Sequence, residues 1–171
     1  MECDEEIEEG QACDYALPPR ARASDFNWMK GIKDRPTDNF ETPQFLKDFV
    51  KKYFKCNNDP CPVDPEVDGL NTDWLGVSFV HPPGSQCMAW IQKAAEEAAK
   101  GNFSYVLAPA AFNATYWREI VYPNASRIFI LKVPIRLIGM KKQASCQMCL
   151  IGFETKHGPK VDNHPDILLI E

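Results

Sequence analysis

The residues best equipped for chemistry in this chain fall into four groups. His81 ends a strand-like run and is followed by Pro82, Pro83 and Gly84 in the stretch FVHPPGS at 79–85. A histidine at a strand end can accept a hydrogen bond or, with a pKa near neutral, act as a general base; a structural histidine satisfied by its neighbours fits the same position. Asp59, next to Pro60 in DPCP, supplies a loop carboxylate. Cys56, Cys61, Cys146 and Cys149 are enough thiols to close a tetrahedral zinc site. Cys146, Met148 and Leu150 alternate as in a strand, however, where a zinc knuckle needs a tight turn, so no metal is expected. Lys47, Lys51, Lys52 and Lys55 share one amphipathic segment and suit either a solvated face or phosphate contact.

Positioning these groups requires a helix, a long loop and a sheet. ETPQFLKDFVKKYFK, 41–55, reads as a helix with Thr42 as N-cap and Pro43 at the first helical position. Phe45, Leu46, Phe49, Val50 and Tyr53 form its apolar stripe. Residues 56–74, rich in Asn, Asp, Pro and Gly, must be loop, and one of that length inside a compact domain tends to be functional. LGVSFV then reads as a short buried strand. After the Pro-Pro turn, Ser85 can cap a helix to Lys100 with Met88, Ile91, Ala95 and Ala98 inward and Gly101 closing it. FSYVLAPA, RIFILKV and SCQMCLIGF read as further strands, NATYWREIVY as a short helix or turn, and DILLIE as an edge strand. Strands and helices that alternate and then give way to consecutive strands predict an α/β fold, Rossmann-like, with a mostly parallel sheet and antiparallel end strands.

Composition limits the setting. A chain of 171 residues with 44% hydrophobic content suffices for one domain with a real core. The expected organisation is an acidic, proline-containing tail over 1–25 and a compact domain over 26–171. Residues 1–14 hold seven acidic side chains and no basic one, so the formal charge of −5 comes from the tail and the body is near neutral, at about +2. Such a tail reads as a solvated segment or as one that meets a basic partner in an assembly. No run is apolar and long enough to span a bilayer, and the N-terminus is acidic where a signal peptide is basic. An intracellular, non-secreted protein with reduced thiols and no membrane insertion is expected.

From Thr42 onward the chain resembles the phage-type DNA N6-adenine methyltransferases, which are S-adenosylmethionine-dependent. The resemblance covers about residues 40–155 and lies in an ordered set: ETPQFL, DPCP, DGLNTDW, FVHPPGS, Trp90, YVLAPA, TYW and Ile135-Arg136 before Gly139. It implies a single methyltransferase domain, and S-adenosylmethionine as cofactor near Thr42, Pro43, Asp59 and Pro60. As plain fold elements, the same residues are a helix cap and a loop acid. In that family the turn after the strand reads Asp or Asn, Pro, Pro, then an aromatic. The polar side chain and a turn carbonyl accept hydrogen bonds from the amine of a flipped adenine, and the aromatic stacks on the base.

In this sequence His81 and Gly84 replace both base-contacting side chains, while Pro82 and Pro83 remain. Neutral imidazole accepts one hydrogen bond but cannot accept and donate as an amide does, and glycine has no ring to stack. Ala110, Ala111 and Phe112 give an apolar stretch where the family often has polar character. These departures imply a catalytically degenerate protein that serves as a structural or binding subunit of an assembly, with the cofactor possibility open. Two alternatives stand beside it: an active adenine methyltransferase with an altered HPPG turn, and a non-catalytic nucleic-acid-binding module. For partners, Phe112 reads as a protein patch, and Arg136, Lys141 and Lys142 as contacts to DNA or RNA phosphates.

Overall fold

The computed structural model describes residues 40–141, 144, 146–154 and 166–170. Five strands and two main helices are present in the order α1 (Gln44–Phe54), β1 (Val77–Val80), α2 (Cys87–Ala99), β2 (Phe103–Pro109), β3 (Arg127–Leu131), β4 (Met148–Phe153) and β5 (Asp166–Ile170). Between β2 and β3 a π-helical turn, Trp117–Val121, runs into a short helix, α3 (Tyr122–Asn124).

The strands form one mixed sheet in the order β1-β2-β4-β3-β5. β1 and β2 are parallel, as are β3 and β5, while β4 runs antiparallel to both neighbours. The fold is therefore of the expected α/β type, with two of the four strand pairings antiparallel where a mostly parallel sheet was expected. The reversed strand, expected at the end, instead lies in the middle. Its burial is the physical reason: every residue of MCLIGF is buried, the pattern of a strand covered on both faces.

The strands β1 to β4 divide their side chains between two layers. Val80, Val106, Ala108, Ile128, Cys149, Ile151 and Phe153 pack with α2 and the buried Trp117. Phe79, Tyr105, Leu107, Phe129, Met148 and Leu150 pack with Leu46 and Val50 of α1. Cys56 belongs to the second layer and Cys61 to the first, so the four thiols weighed for zinc do not converge. Among the described residues no group of three or more His, Cys, Asp or Glu is placed to hold a metal ion. Burial pushes the Cys56 and Cys87 thiols up to about 12, which leaves them inert packing groups.

Both helices differ in detail from their expected faces. On α1 only Leu46 and Val50 are fully buried, whereas Phe45 and Tyr53, expected inside, are 63% and 59% exposed. On α2 the inner stripe is Cys87, Trp90, Ile91, Ala94, Glu97 and Ala98, and Met88 faces out. Gly84–Gln86 forms a 3-10 turn ahead of α2, which moves the helix start past Ser85. Gly101 closes α2 at φ 95°, as its position after Lys100 suggests.

Candidate functional site

In parallel α/β sheets, ligands bind beyond the carboxyl ends of the strands. Here β1 delivers His81 to that end, while β2, with Val80 paired to Val106 in parallel register, runs on so that Ala110 lies three residues beyond the level of His81. A third segment runs alongside. Asn58 forms a parallel bridge to Ser78, Phe79 N–H donates to Asn58 O at 2.9 Å, and Asn58 Nδ2 donates to Ser78 Oγ at 2.9 Å. This short edge segment delivers Asp59 to the same end as His81.

Thr42 was expected to cap α1, but the helix starts at Gln44 with Pro43 in the cap position. The Pro43 carbonyl accepts from Leu46 N–H at 3.0 Å and Lys47 N–H at 3.2 Å, so the first turn closes without a side-chain cap. The hydroxyl of Thr42 is thereby available to His81: Oγ1 lies 3.0 Å from Nδ1, donating to it when the ring proton is on Nε2. Thr42 and Pro43 are both buried, and His81 is half-buried. Burial, reinforced by the nearby Lys47 charge, lowers the His81 pKa to about 4. The ring is therefore neutral at physiological pH.

Lys47 couples the cluster. It pairs with Glu41 at 2.8 Å, and its charge acts on Asp59 as well as His81. Desolvation raises the Asp59 carboxyl above its ordinary value, partly offset by the hydrogen bond from Cys61 N–H at 3.0 Å and by Lys47. Sequence reading treated Lys47 as part of a basic face; its position one turn beyond Thr42 is the signal that ties it to the site. NMR titration of the His81 ring should show no protonation until the pH falls well below 6.5, and a normal histidine pKa would contradict this burial.

Two cavities lie beside this cluster, both shaped by the loop at 56–74. One, about 340 Å³, is bounded by Pro60, Cys61, Gly69, Pro83, Gln86 and Trp90. The other, about 470 Å³, is rimmed by Asp59, Asp64, Glu66 and Asp73. Pro60 and Gly69 line both. Thus Pro60 and Pro83 share a cavity wall, while Asp59 faces the second space. Pro82 is buried and Gly84 is exposed. Trp90 is 4% exposed, and its indole nitrogen is buried without a hydrogen-bond partner among the described residues.

Gly69 and Glu97 were not picked out as site residues in the sequence, yet they hold this loop. A Cβ on Gly69 would lie 2.0 Å from the Pro60 carbonyl oxygen, so only glycine allows the two limbs to touch. Glu97, fully buried, accepts from Trp74 N–H at 3.3 Å and Asn102 Nδ2 at 2.8 Å, and pairs with Lys93 and Lys100 at 2.9 Å each. Trp74 Nε1 in turn donates to Gly69 O at 2.8 Å.

The remaining expected contacts lie elsewhere. Phe112, 38% exposed, packs edge-on against Trp117 with ring centroids 4.9 Å apart. Ala110 and Ala111 are half-buried against the α2-side core, so the apolar stretch is mostly packed inward. Arg136 Nε donates to Met140 O at 3.1 Å, which folds its guanidinium onto its own loop. Lys141 is exposed, and Lys142 lies outside the described residues. No described helix is long and apolar enough to cross a membrane.

No protein-family model matches this sequence, and no curated protein matches it. Among solved structures, the chain is similar to a protein of Listeria monocytogenes described as a class I S-adenosylmethionine-dependent methyltransferase, at 14% identity and TM-score 0.39. It is also similar to the M1.HpyAVI–SAM complex, at 12% identity and TM-score 0.28. The alignments cover 60% and 77% of this chain, which spans 40% and 65% of the lengths of those two proteins.

Proposed function

We propose that this chain is a methyltransferase-like protein that does not methylate adenine and serves as a structural or binding subunit of a larger assembly. The observation that carries the reading is the hydrogen bond between Thr42 and His81. It engages the side chain at the position where a target amine would need an acceptor. A ring with its pKa lowered to about 4 is also a weak base at neutral pH, far from the range that favours proton transfer. Gly84 offers no surface for stacking, an interaction worth roughly 1–3 kcal/mol at other base-binding sites. Purified protein is expected to transfer no methyl group to adenine in DNA or RNA. Turnover that disappears on His81→Ala would overturn the proposal.

Binding of S-adenosylmethionine is a separate matter, and the residues present fit a ligand better than they fit a reaction. The cavity wall of Pro60, Gly69 and Pro83 suits a partly apolar molecule. Asp59 is available to a ribose hydroxyl or an ammonium group. Calorimetric titration with S-adenosylmethionine and S-adenosylhomocysteine tests this. Micromolar binding supports a cofactor-sensing subunit, or an enzyme if turnover accompanies it. Absence of binding at millimolar ligand supports a purely structural role. Nucleic-acid binding by the Arg136 and Lys141 loop is the weaker reading, since Arg136 already donates within its loop.

A further inference from the structure

The tautomer of His81 decides what the strand end offers a ligand. Nδ1 lies 3.0 Å from Thr42 Oγ1, and a hydrogen bond at that distance admits two arrangements. Either the hydroxyl donates to a bare Nδ1 and the ring proton sits on Nε2, or Nδ1–H donates to the hydroxyl oxygen and Nε2 is the bare acceptor. The surroundings of Thr42 separate them. Thr42 is 4% exposed, and among the described residues its hydroxyl has one partner, the His81 ring. If Oγ1 only accepted, its own proton would be buried without an acceptor, which a folded core rarely tolerates. Donation to Nδ1 satisfies both groups, so the ring proton belongs on Nε2.

Nε2 is also the reachable nitrogen. The enclosed side-chain nitrogen and oxygen atoms without a partner among the described residues are Trp90 Nε1, Ser104 Oγ and Trp117 Nε1. His81 Nε2 makes no hydrogen bond among the described residues and is not one of these atoms, so it opens to solvent from a half-buried ring just past the end of β1. Burial keeps that ring neutral at physiological pH, and the Lys47 charge acts on it from α1. Lys47 is paired with Glu41, and Asp59, the carboxylate brought to the same end, accepts from Cys61 N–H. The turn after β1 thus presents a hydrogen-bond donor within the field of a positive charge. We propose that Thr42 locks His81 with its proton on Nε2, so that the turn binds a ligand through a carbonyl-type oxygen and excludes one that offers an amine at the same point. This specificity rests on the proposed loss of adenine methylation and sharpens it. An exocyclic amine would meet a donor, whereas the oxo group of an oxopurine or oxopyrimidine would meet its complement. Thr42 is the positioning residue and His81 the contact.

The test begins with the native full chain, isotopically labelled in its histidine nitrogens. Long-range proton–nitrogen correlation at neutral pH identifies the protonated nitrogen of each ring, with His81 assigned by the signal lost in His81→Asn. A roughly tenfold or greater excess of the Nε2–H form is expected. Thr42→Val, which removes the hydroxyl, should let both tautomers appear, and Thr42→Ser should restore the excess. Inosine and adenosine then serve as probes, since they differ in the oxo or amino group at one ring carbon. Inosine should shift the His81 signals at a concentration at least about tenfold below that needed with adenosine. A native ring protonated on Nδ1 overturns the proposal, as does an excess that Thr42→Val leaves unchanged. Adenosine acting at an equal or lower concentration than inosine overturns it too, as does a His81 signal that neither nucleoside moves at millimolar concentration. None of these results bears on methyl transfer, whereas turnover on adenine would overturn both this specificity and the role proposed above.

Discussion

Glu97→Ala is expected to destabilise the fold by about 3–5 kcal/mol, a large part of the total stability of a small domain. Burial alone would raise this carboxyl. Hydrogen bonds from Lys93, Lys100, Asn102 and the Trp74 backbone outweigh that and hold it down to about 2. Without the carboxylate, buried Trp74 N–H loses its acceptor and Asn102 its partner, while Lys93 and Lys100 must find solvent. Equilibrium urea unfolding measures the loss. Glu97→Gln should cost less, since an amide oxygen can still accept from Trp74, and it serves as the informative variant if alanine prevents folding.

The same group fixes a pH dependence. Because the folded-state pKa lies below the ordinary value of 4.5, the unfolded chain binds the proton first. The stabilisation is therefore complete above about pH 4.5 and lost as the pH falls toward 2. His81 adds to the acid loss at higher pH. Its depressed pKa means that the unfolded chain gains a proton from 6.5 downward while the folded chain resists until about 4. Stability profiles of Glu97→Gln should flatten in the lower window only, and those of His81→Asn in the upper one only. Coincident profiles would contradict both assignments.

Gly69→Ala is the second large effect expected, at about 1–3 kcal/mol or somewhat more, because the added carbon meets backbone. The atom it strikes is the Pro60 carbonyl, which cannot rotate away as a side chain can. Relief requires the two limbs of the loop to part, which reshapes both cavities, since Pro60 and Gly69 wall each of them. Unfolding midpoints should fall, and any S-adenosylmethionine affinity of the native protein should fall with them. Gly101→Ala is the fitting control: nothing lies within 4 Å of its Cβ, so only the φ of 95° is penalised. An unchanged midpoint for Gly69→Ala would mean that the loop limbs are not in contact in solution.

Much of this architecture could be read from residue order. β2, with FSYVLAP, and β4, with MCLIGF, were legible because apolar runs bounded by polar turns bury on both faces. Strand direction was not, since alternation is the same along a strand whichever way it points: the apolar run of β4 called for a central place, but nothing in it called for a reversed one. The α1 stripe failed at Phe45 and Tyr53 because periodicity identifies an apolar arc but not how much of it the sheet covers. Glu97 was invisible for a related reason. A carboxylate on an inner stripe reads as surface until Trp74, 23 residues earlier, and Asn102, just past the helix, supply donors. The turn at 81–84 was legible in identity but not in contact, as the Thr42 bond joins residues 39 positions apart.

The outer border of β1 has a consequence for behaviour at high concentration. Exposed strand borders invite pairing with other chains, and folded proteins protect them in various ways. Here residues 57 and 58 already occupy the main-chain groups of Val77 and Phe79, and the Asn57 side chain accepts from Val77 N–H at 3.2 Å. Gly76, at φ 71° beside the same asparagine, turns the chain out of line just before the strand begins. The segment that carries Asp59 toward the cavities thus also acts as a plug against sheet-to-sheet polymerisation. Loosening it for the sake of a wider cavity would expose a template for aggregation.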